Sequence, residues 1–534
     1  MEERKWWQDG IIYQIYPRSF CDSNGDGYGD IPGIISKLDK LQALGIDAIW
    51  LSPVYKSPQV DNGYDIADYK SIDPMFGTME DFDRLLAEAK ARDIRIIMDL
   101  VINHTSDQHE WFQRSRRREE GYEDYYIWAD KPNNWGGFFG GGAWDYDEVR
   151  GQYYLHLFAK EQPDLNWRNP RVMDEVQDIL RFWLDKGVAG FRCDVINIIW
   201  KNDLENGLPS PILAGLKHYH STPGCHAVLR RLRRDVLDKY DAYTVGETVF
   251  VSEQQGRDLC EPHRKELDEI FSFEQMETEQ VGVKRFKHAF KPEKFFRTIA
   301  KWQHALTWNA NYFENHDQPR SVSRFGDDGE YHNKSAKMLA TMLLSLKGTP
   351  FIYEGQEIGM TNFDFTSIDQ LQDVESHNIY AIAKKIGIPA AKRWQMIKTS
   401  SRDNARQGMQ WSDAPNGGFS EGTPWLAVNG NYKTINYASQ ETDADSILNY
   451  YKALIAFRRE NEILRKGSFR EKLISSSVFV YEREYEGKKL TVLLNFSAKP
   501  RKVPFKGIQK IGNYEKKEFF GILAPWEGAI IEVE

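Results

Sequence analysis

Three carboxylates, an arginine and two histidines sit in four short segments that each follow or close an apolar run. His104 lies in VINHT (101–105), Arg192 and Asp194 in GFRCDV (190–195), Glu247 in YTVGET (243–248), and His316 with Asp317 in YFENHD (312–317). Strands buried on both faces read as nearly continuous apolar runs, so a polar group confined to the C-terminal lip is out of place for packing. The pattern points to an active site assembled from several strand ends. Taken singly, such an acid serves as a helix cap or a solvated turn residue. It is the combination that argues for chemistry. Residues two apart on a strand share a face, so Arg192 and Asp194 project together. A guanidinium favours the ionised form of a neighbouring carboxylate, which suits Asp194 to nucleophilic attack. Glu247 follows an apolar run and a glycine, where partial burial beside other carboxylates raises a pKa, as a general acid requires. Asp317 supplies a third carboxylate.

A second constellation is DSNGDGYGD (22–30). It places Asp22, Asn24, Asp26, the Tyr28 position and Asp30 at alternate residues with Gly27 between, the spacing of positions 1, 3, 5, 7 and 9 in a calcium-binding loop. Oxygen donors at that spacing predict a structural Ca2+, with Mg2+ as the alternative ion. Position 12 is Gly33 where an EF-hand has a glutamate, and no helix precedes the loop, so it is not an EF-hand. No Cys/His cluster suggests a catalytic transition metal, and no organic cofactor is expected.

The elements that position these residues alternate. IIYQIY (11–16), AIWLSP (48–53), RIIMDLVINH (95–104), GFRCDV, YTVGET, EIFSFEQ (269–275), NANYFENHD (309–317) and TPFIYEGQEIG (349–359) read as strands, separated by segments of helical period such as TMEDFDRLLAEAKARD (78–93) and PRVMDEVQDILRFWLDKG (170–187). Eight such strands predict an α/β fold, a (β/α)8 TIM barrel. The barrel is assigned to 1–104 and 170–467. Residues 105–169, rich in Gly, Trp and Tyr, stand where a short loop would suffice and are read as a lid subdomain inserted after strand 3. From 468 onward, runs such as SVFVYERE (477–484) and KLTVLLNFS (489–497) predict a small C-terminal antiparallel β-sandwich domain.

Composition limits the partners. A chain of 534 residues exceeds the roughly 250–300 at which one core stops growing, so several domains are expected. The net charge of -9 argues against nucleic acid or an anionic membrane surface as partner. A small neutral substrate fits better. The chain has no apolar stretch of membrane-spanning length and no signal-like N-terminus, and Cys21, Cys193, Cys225 and Cys260 lack CxxC spacing. A cytoplasmic monomer with reduced thiols is expected.

The segments IIYQIYPRSF, DSNGDGYGD, DNGYDI, VINHTS, GFRCDV, GET, ENHDQPR and SRDNARQGMQW stand in the order of a known family. The chain resembles the α-amylase family of glycoside hydrolases, and within it the exo-acting α-glucosidases of the oligo-1,6-glucosidase type. The resemblance implies that Asp194 is the nucleophile, Glu247 the acid/base and Asp317 the carboxylate that clamps sugar hydroxyls, with the first two carboxyls about 5–5.5 Å apart for retention. It further implies that Asp61, His104, Arg192, His316 and Arg402 bind the non-reducing terminal glucose, that Tyr64 stacks on it, and that an Asp61–Arg402 pair closes the pocket. It also implies calcium in the loop at 22–30, with Tyr28 contributing its backbone carbonyl. Val195, directly after the nucleophile, goes with α-1,6 cleavage in the resembling enzymes. The substrate implied is a small isomalto-oligosaccharide. Alternatives within the family are a trehalose-6-phosphate hydrolase, an α-1,4-glucosidase or a sucrose isomerase. A non-catalytic barrel is disfavoured by the full carboxylate set. Two positions depart from the family pattern. Gln407-Gly408 replaces Thr-Pro, which predicts a more flexible loop around Arg402, and Cys193 stands where an aliphatic residue is commoner, which predicts a packing role.

Overall fold

A computed structural model describes residues 4–210, 212–281 and 283–533. Eight strands, β1 (Ile12–Ile15), β2 (Ala48–Leu51), β3 (Arg95–Leu100), β4 (Gly190–Cys193), β5 (Tyr243–Thr248), β6 (Glu269–Ser272), β7 (Ala310–Asn311) and β8 (Thr349–Tyr353), form one sheet in the order β6-β5-β4-β3-β2-β1-β8-β7. Every pairing is parallel. Apart from Arg95 at the start of β3, all residues of these strands are buried, which is why the runs carry no polar alternation. At the β6–β7 seam the Tyr312 hydroxyl donates to the Ser272 carbonyl at 2.9 Å. Rings of Trp50, Phe271 and Phe351, from β2, β6 and β8, pack with centroids 5.7, 6.5 and 4.7 Å apart, and Arg192 lies 5.1 Å from the Trp50 ring.

The strands are shorter than their apolar runs suggest. β3 stops at Leu100 and β7 is two residues long, so His104, His316 and Asp317 stand on turns beyond the strands and not at their last positions. The ENHD turn is held locally, because Asn315 Oδ1 accepts from the Asp317 backbone N–H at 2.8 Å.

Between β3 and β4, residues 105–169 carry the helix Glu110–Arg116 and a three-stranded antiparallel sheet of Trp128–Ala129, Gln152–Leu155 and Trp144–Asp147. The excursion is stitched to the barrel by a bridge from His104 to Asp164 and by buried Lys201, whose Nζ reaches Asp164 Oδ2 at 2.5 Å and Asn103 Oδ1 at 2.7 Å, and a bridge from Tyr126 to Leu165 closes it internally. The helix Pro170–Lys186 then resumes the barrel. Asn169 caps its start, Pro170 is pre-set for the first turn, and Gly187 at φ 107° ends it.

A second excursion has no counterpart in the sequence reading, which places 360–446 within the barrel. It follows β8, contains the helices Val374–Lys385 and Ala390–Lys398, and has its own apolar cluster of Phe365, Leu371, Ile397 and Leu426. The C-terminal region is the expected antiparallel β domain. Its strands Ser468–Ile474, Val478–Tyr485, Lys488–Asn495, Gly507–Gly512, Glu518–Phe519 and Gly528–Val533 form a six-stranded sheet, and the ribbon Arg501–Lys502/Ile522–Leu523 is the smaller second sheet, with Leu523 and neighbouring Val503 in one apolar cluster with the larger sheet. The other face is closed by the barrel, where Phe296 of the helix Pro292–Ala305 stacks on Phe479 at 5.1 Å. Among the described residues, no helix is long and apolar enough to cross a membrane.

Candidate active site

Arg192 is the hub. Its Nη1 donates to Asp194 Oδ1 at 2.6 Å and to Asp99 Oδ1 at 2.7 Å, and its Nη2 donates to Glu247 Oε2 at 2.6 Å. One planar fork from β4 therefore binds carboxylates of β3, β5 and the residue after β4. Asp99 is further fixed by the Trp50 indole N–H at 2.9 Å and the Tyr64 hydroxyl at 3.2 Å. Asp99 and Trp50 do not figure in the sequence reading, although an acid inside the apolar run RIIMDL is the same kind of signal as Asp194.

The chain turns sharply after Asp194. Val195 has φ 35° and ψ 40°, a left-handed conformation that a β-branched residue adopts only at a cost of about 1–3 kcal/mol. The turn aims the Val195 backbone N–H at Glu247 Oε2, 3.2 Å away, and leaves its side chain on the cavity wall.

Asp61 and Arg402 close the inner end, Oδ1 to Nη2 at 2.9 Å, with both side chains buried. Arg402 also pairs with Asp373 at 2.9 Å and with Asp317 at 3.5 Å, while Arg406 holds Asp317 Oδ1 at 2.8 Å. Gln162 of the inserted region donates to Asp61 Oδ2 at 3.2 Å and lies 3.1 Å from His104 Nε2. Tyr64 stacks on His316 with centroids 5.3 Å apart, and His316 Nε2 is 3.2 Å from Asp317 Oδ2. Asp373, Arg406 and Gln162 carry no sequence signal, because they reach the site only through the convergence of two long excursions.

Burial sets the protonation states. It pushes His104 down to about 4 and His316 to about 3, so both imidazoles are neutral at neutral pH and serve as hydrogen-bonding groups. Asp194 departs from the sequence expectation of a carboxylate lowered by Arg192. Burial, joined by the nearby Glu247 and Asp99 carboxylates, outweighs Arg192 and lifts Asp194 well above the usual carboxylate range. Asp99 is raised by burial too, with Arg192 opposing.

These groups open into a cavity of about 420 Å3, lined at depth by Asp61, Tyr64, His104, Asp194, Glu247, Asp317 and Arg402, with Phe158 and Phe139 from the inserted region. Cys193 is buried in the core beside β3 and β5, and burial lifts its thiol to about 12. The segment at Gln407-Gly408 is packed where the sequence suggests a flexible loop. Gln407 is buried, and a Cβ on Gly408 would meet the Phe419 ring at 2.7 Å.

In DSNGDGYGD, Asp22 accepts backbone N–H groups from Asn24, Gly25 and Gly27 at 3.0, 2.7 and 2.8 Å, and Asp26 Oδ1 accepts from Tyr28 at 2.9 Å. Asp30 points elsewhere. It is buried as the N-cap of the helix Ile31–Ile35, with Oδ1 accepting from Gly33 at 2.6 Å and Oδ2 from the Ser23 hydroxyl at 2.7 Å. Among the described residues, no three His, Cys, Asp or Glu side chains converge as a metal cluster. The oxygen donors of Asp22, Asn24, Asp26 and the Tyr28 carbonyl nevertheless have the hard chemistry a calcium ion takes.

The family model for the alpha amylase catalytic domain matches residues 14–467. The chain belongs to the α-amylase family. It is 49% identical to an oligo-1,6-glucosidase of Bacillus cereus, over 93% of this chain and 92% of that one. It is 44% identical to the trehalose-6-phosphate hydrolase of Escherichia coli strain K12, over 96% and 94%. The structure also matches the trehalulose synthase MutB of Pseudomonas mesoacidophila MX-45 with a TM-score of 0.95 at 40% identity, covering all of both chains. In this α-amylase family member, residues after β3, β4 and β7 and Glu247 near the end of β5 meet at the C-terminal end of the barrel.

Proposed function

We propose that this α-amylase family member is a retaining exo-α-glucosidase that removes the non-reducing terminal α-1,6-linked glucose from isomaltose and isomalto-oligosaccharides. The observation that carries the reading is the Arg192 fork holding Asp194 and Glu247 on the wall of a pocket whose inner end is closed by Asp61 and Arg402. A blind end admits one terminal sugar, which makes the cleavage exo. The terminal glucose stacks on Tyr64, and Asp317, His104 and His316 take its hydroxyls.

Asp194 attacks the anomeric carbon as the carboxylate, and Glu247, the acid/base, gives a proton to the glycosidic oxygen as the C1–O bond breaks. A water molecule then attacks C1 of the glucosyl ester, yields its proton to Glu247, and frees Asp194. Arg192 stabilises Asp194 as it becomes a leaving carboxylate.

Two observations bear on isomaltose against trehalose-6-phosphate: Val195 lines the cavity beside Asp194, and Arg402, the one arginine or lysine among the described lining residues, is engaged by Asp61 and Asp373. Among the described lining residues, a phosphate dianion finds no unengaged cation. The RSRRR run (114–118) contributes no residue to the lining. The test is parallel glucose release from isomaltose, maltose, sucrose, trehalose and trehalose-6-phosphate, with isomaltose expected fastest. Val195→Ala is expected to lower the isomaltose-to-maltose ratio of kcat/KM by about 10-fold or more, the range of one or two methyl contacts. An unchanged ratio would remove Val195 from the linkage preference.

We propose further that the loop of Asp22, Asn24, Asp26 and the Tyr28 carbonyl holds a structural calcium, and that the enzyme acts as a monomer, since one chain supplies every group of the site. Calcium bound only to the folded state raises Tm by mass action, about 2.7 kcal/mol at a hundredfold excess over Kd. Chelation is expected to lower Tm and added calcium to restore it. No shift would reject the ion.

A further inference from the structure

The outer half of the cavity is apolar to a degree that the next sugars of an oligosaccharide do not require. Ile379, Ile382 and Ile386 lie at helical spacing on one face of Val374–Lys385 and its C-cap. Ile212 and Phe250 face the same space from the loops after β4 and β5, and Ile388 completes the wall. Ile382, Ile212, Phe250 and Ile386 are 36, 46, 49 and 69% exposed, so these side chains stand in solvent at the mouth of a catalytic cavity. A continuous apolar patch so placed marks a binding surface.

Two features show that the wall is built. Phe250 has φ 53°, a conformation rare for a bulky side chain, and it turns the ring out beside the mouth. Gly140, at φ 88° in the glycine-rich stretch of the inserted region, lies where a Cβ would come to 2.6 Å from Ile382 Cδ1 and 3.4 Å from Ile379 Cδ1. Glycine there lets the inserted region close against the isoleucine face. Among the described residues, the polar lining of this outer half consists of Glu277, Gln280 and Gln318, with Glu375 one turn before Ile379 on the isoleucine helix. The patch is continuous with the glucose-binding end, so whatever fills it is joined to the glucose by the bond that is cut.

We propose that this outer wall is an apolar aglycone site and that the enzyme hydrolyses α-glucosides of medium-chain alcohols. This rests on the glucosidase reading above and names a substrate class for the same pocket. The chemistry is unchanged: the C1–O bond to the alkyl chain breaks, Glu247 protonates the departing oxygen to give the alkanol, and water completes the turnover of the glucosyl-Asp194 ester. Leaving-group acidity is nearly constant along an alkyl series, so chain-length dependence reports burial.

The experiment measures kcat/KM for methyl, butyl and octyl α-D-glucopyranoside below their micellar concentrations, with isomaltose as the reference substrate. A methylene fully removed from water contributes about fourfold, so partial burial of the chain is expected to raise kcat/KM by about 10- to 100-fold from methyl to octyl. The Ile382→Asn/Ile386→Asn variant and, separately, Phe250→Ser are expected to flatten the series by about 10-fold while isomaltose turnover changes less than twofold. These positions are exposed, so folding is not at stake. A flat alkyl series with isomaltose hydrolysed, or a slope untouched by the substitutions, overturns the aglycone site and leaves the glucosidase reading intact; failure on isomaltose and every alkyl glucoside overturns both. Should the patch instead be an interface between copies of the chain, the series is flat.

Discussion

Asp194→Asn is expected to lower kcat by at least about 10^4, and Glu247→Gln by about 10^2 to 10^4 with a substrate whose leaving group needs protonation. The two losses differ because Asp194 forms the covalent bond and Glu247 moves the proton. Small anions separate the roles. With Asp194→Ala, azide occupies the vacated side and attacks C1 directly, so the product is the β-glucosyl azide. With Glu247→Ala, azide attacks the glucosyl ester on Asp194, and the product is the α-glucosyl azide. Both variants leave Arg192 with two of its three carboxylate partners, so folding is expected to survive. Product identity then assigns each role independently of rate. Exchange of the two azide products would reverse the assignment, and wild-type activity in either variant would remove that carboxylate from the mechanism.

Arg192→Met is expected to act on stability and chemistry together. The guanidinium is fully buried and is the shared partner of Asp99, Asp194 and Glu247. Removing one side of a buried ion pair costs about 3–5 kcal/mol, since the remaining charges are left uncompensated. Tm is therefore expected to fall by several degrees. The sign of the pH effect follows from the direction of the perturbation. Arg192 lowers the Asp194 pKa, while burial and the neighbouring carboxylates raise it. Without the cation, Asp194 stays protonated to a higher pH. The activity that needs its carboxylate, lost as pH falls through that pKa, is lost sooner, and the acid limb of kcat/KM moves upward. A lower Tm with an unmoved acid limb would make Arg192 a structural residue only.

Asp194, Glu247 and Asp317 were legible as candidates because an acid after a doubly buried strand has no packing purpose, and Asp99 carries the same signal one strand earlier. Arg192 and Asp194 were legible as partners because strand geometry fixes which face each residue takes. The sign of the Asp194 shift was not, since it depends on burial and on a second and third carboxylate brought in from β5 and β3. Gln162, Asp373 and Arg406 are ordinary polar residues in irregular segments, and only the folding of two excursions over the barrel mouth makes them part of the site. The excursion between β8 and Ile447–Glu460 was absorbed into the barrel because its helices carry a modest apolar stripe and no break in composition marks its start. The backbone strain at Val195 is also invisible in sequence, where a valine after a strand acid reads as ordinary core.

The most direct test of the account is the anomeric form of the first glucose released from isomaltose, followed by proton NMR before mutarotation. Retention at Asp194 with exo cleavage predicts α-glucose as the initial product from the non-reducing unit, appearing in step with substrate loss. The reducing unit leaves as the anomeric mixture it already was, so an initial excess of β-glucose over that mixture would contradict the covalent route through Asp194, and absence of glucose from isomaltose would contradict the α-1,6 assignment itself.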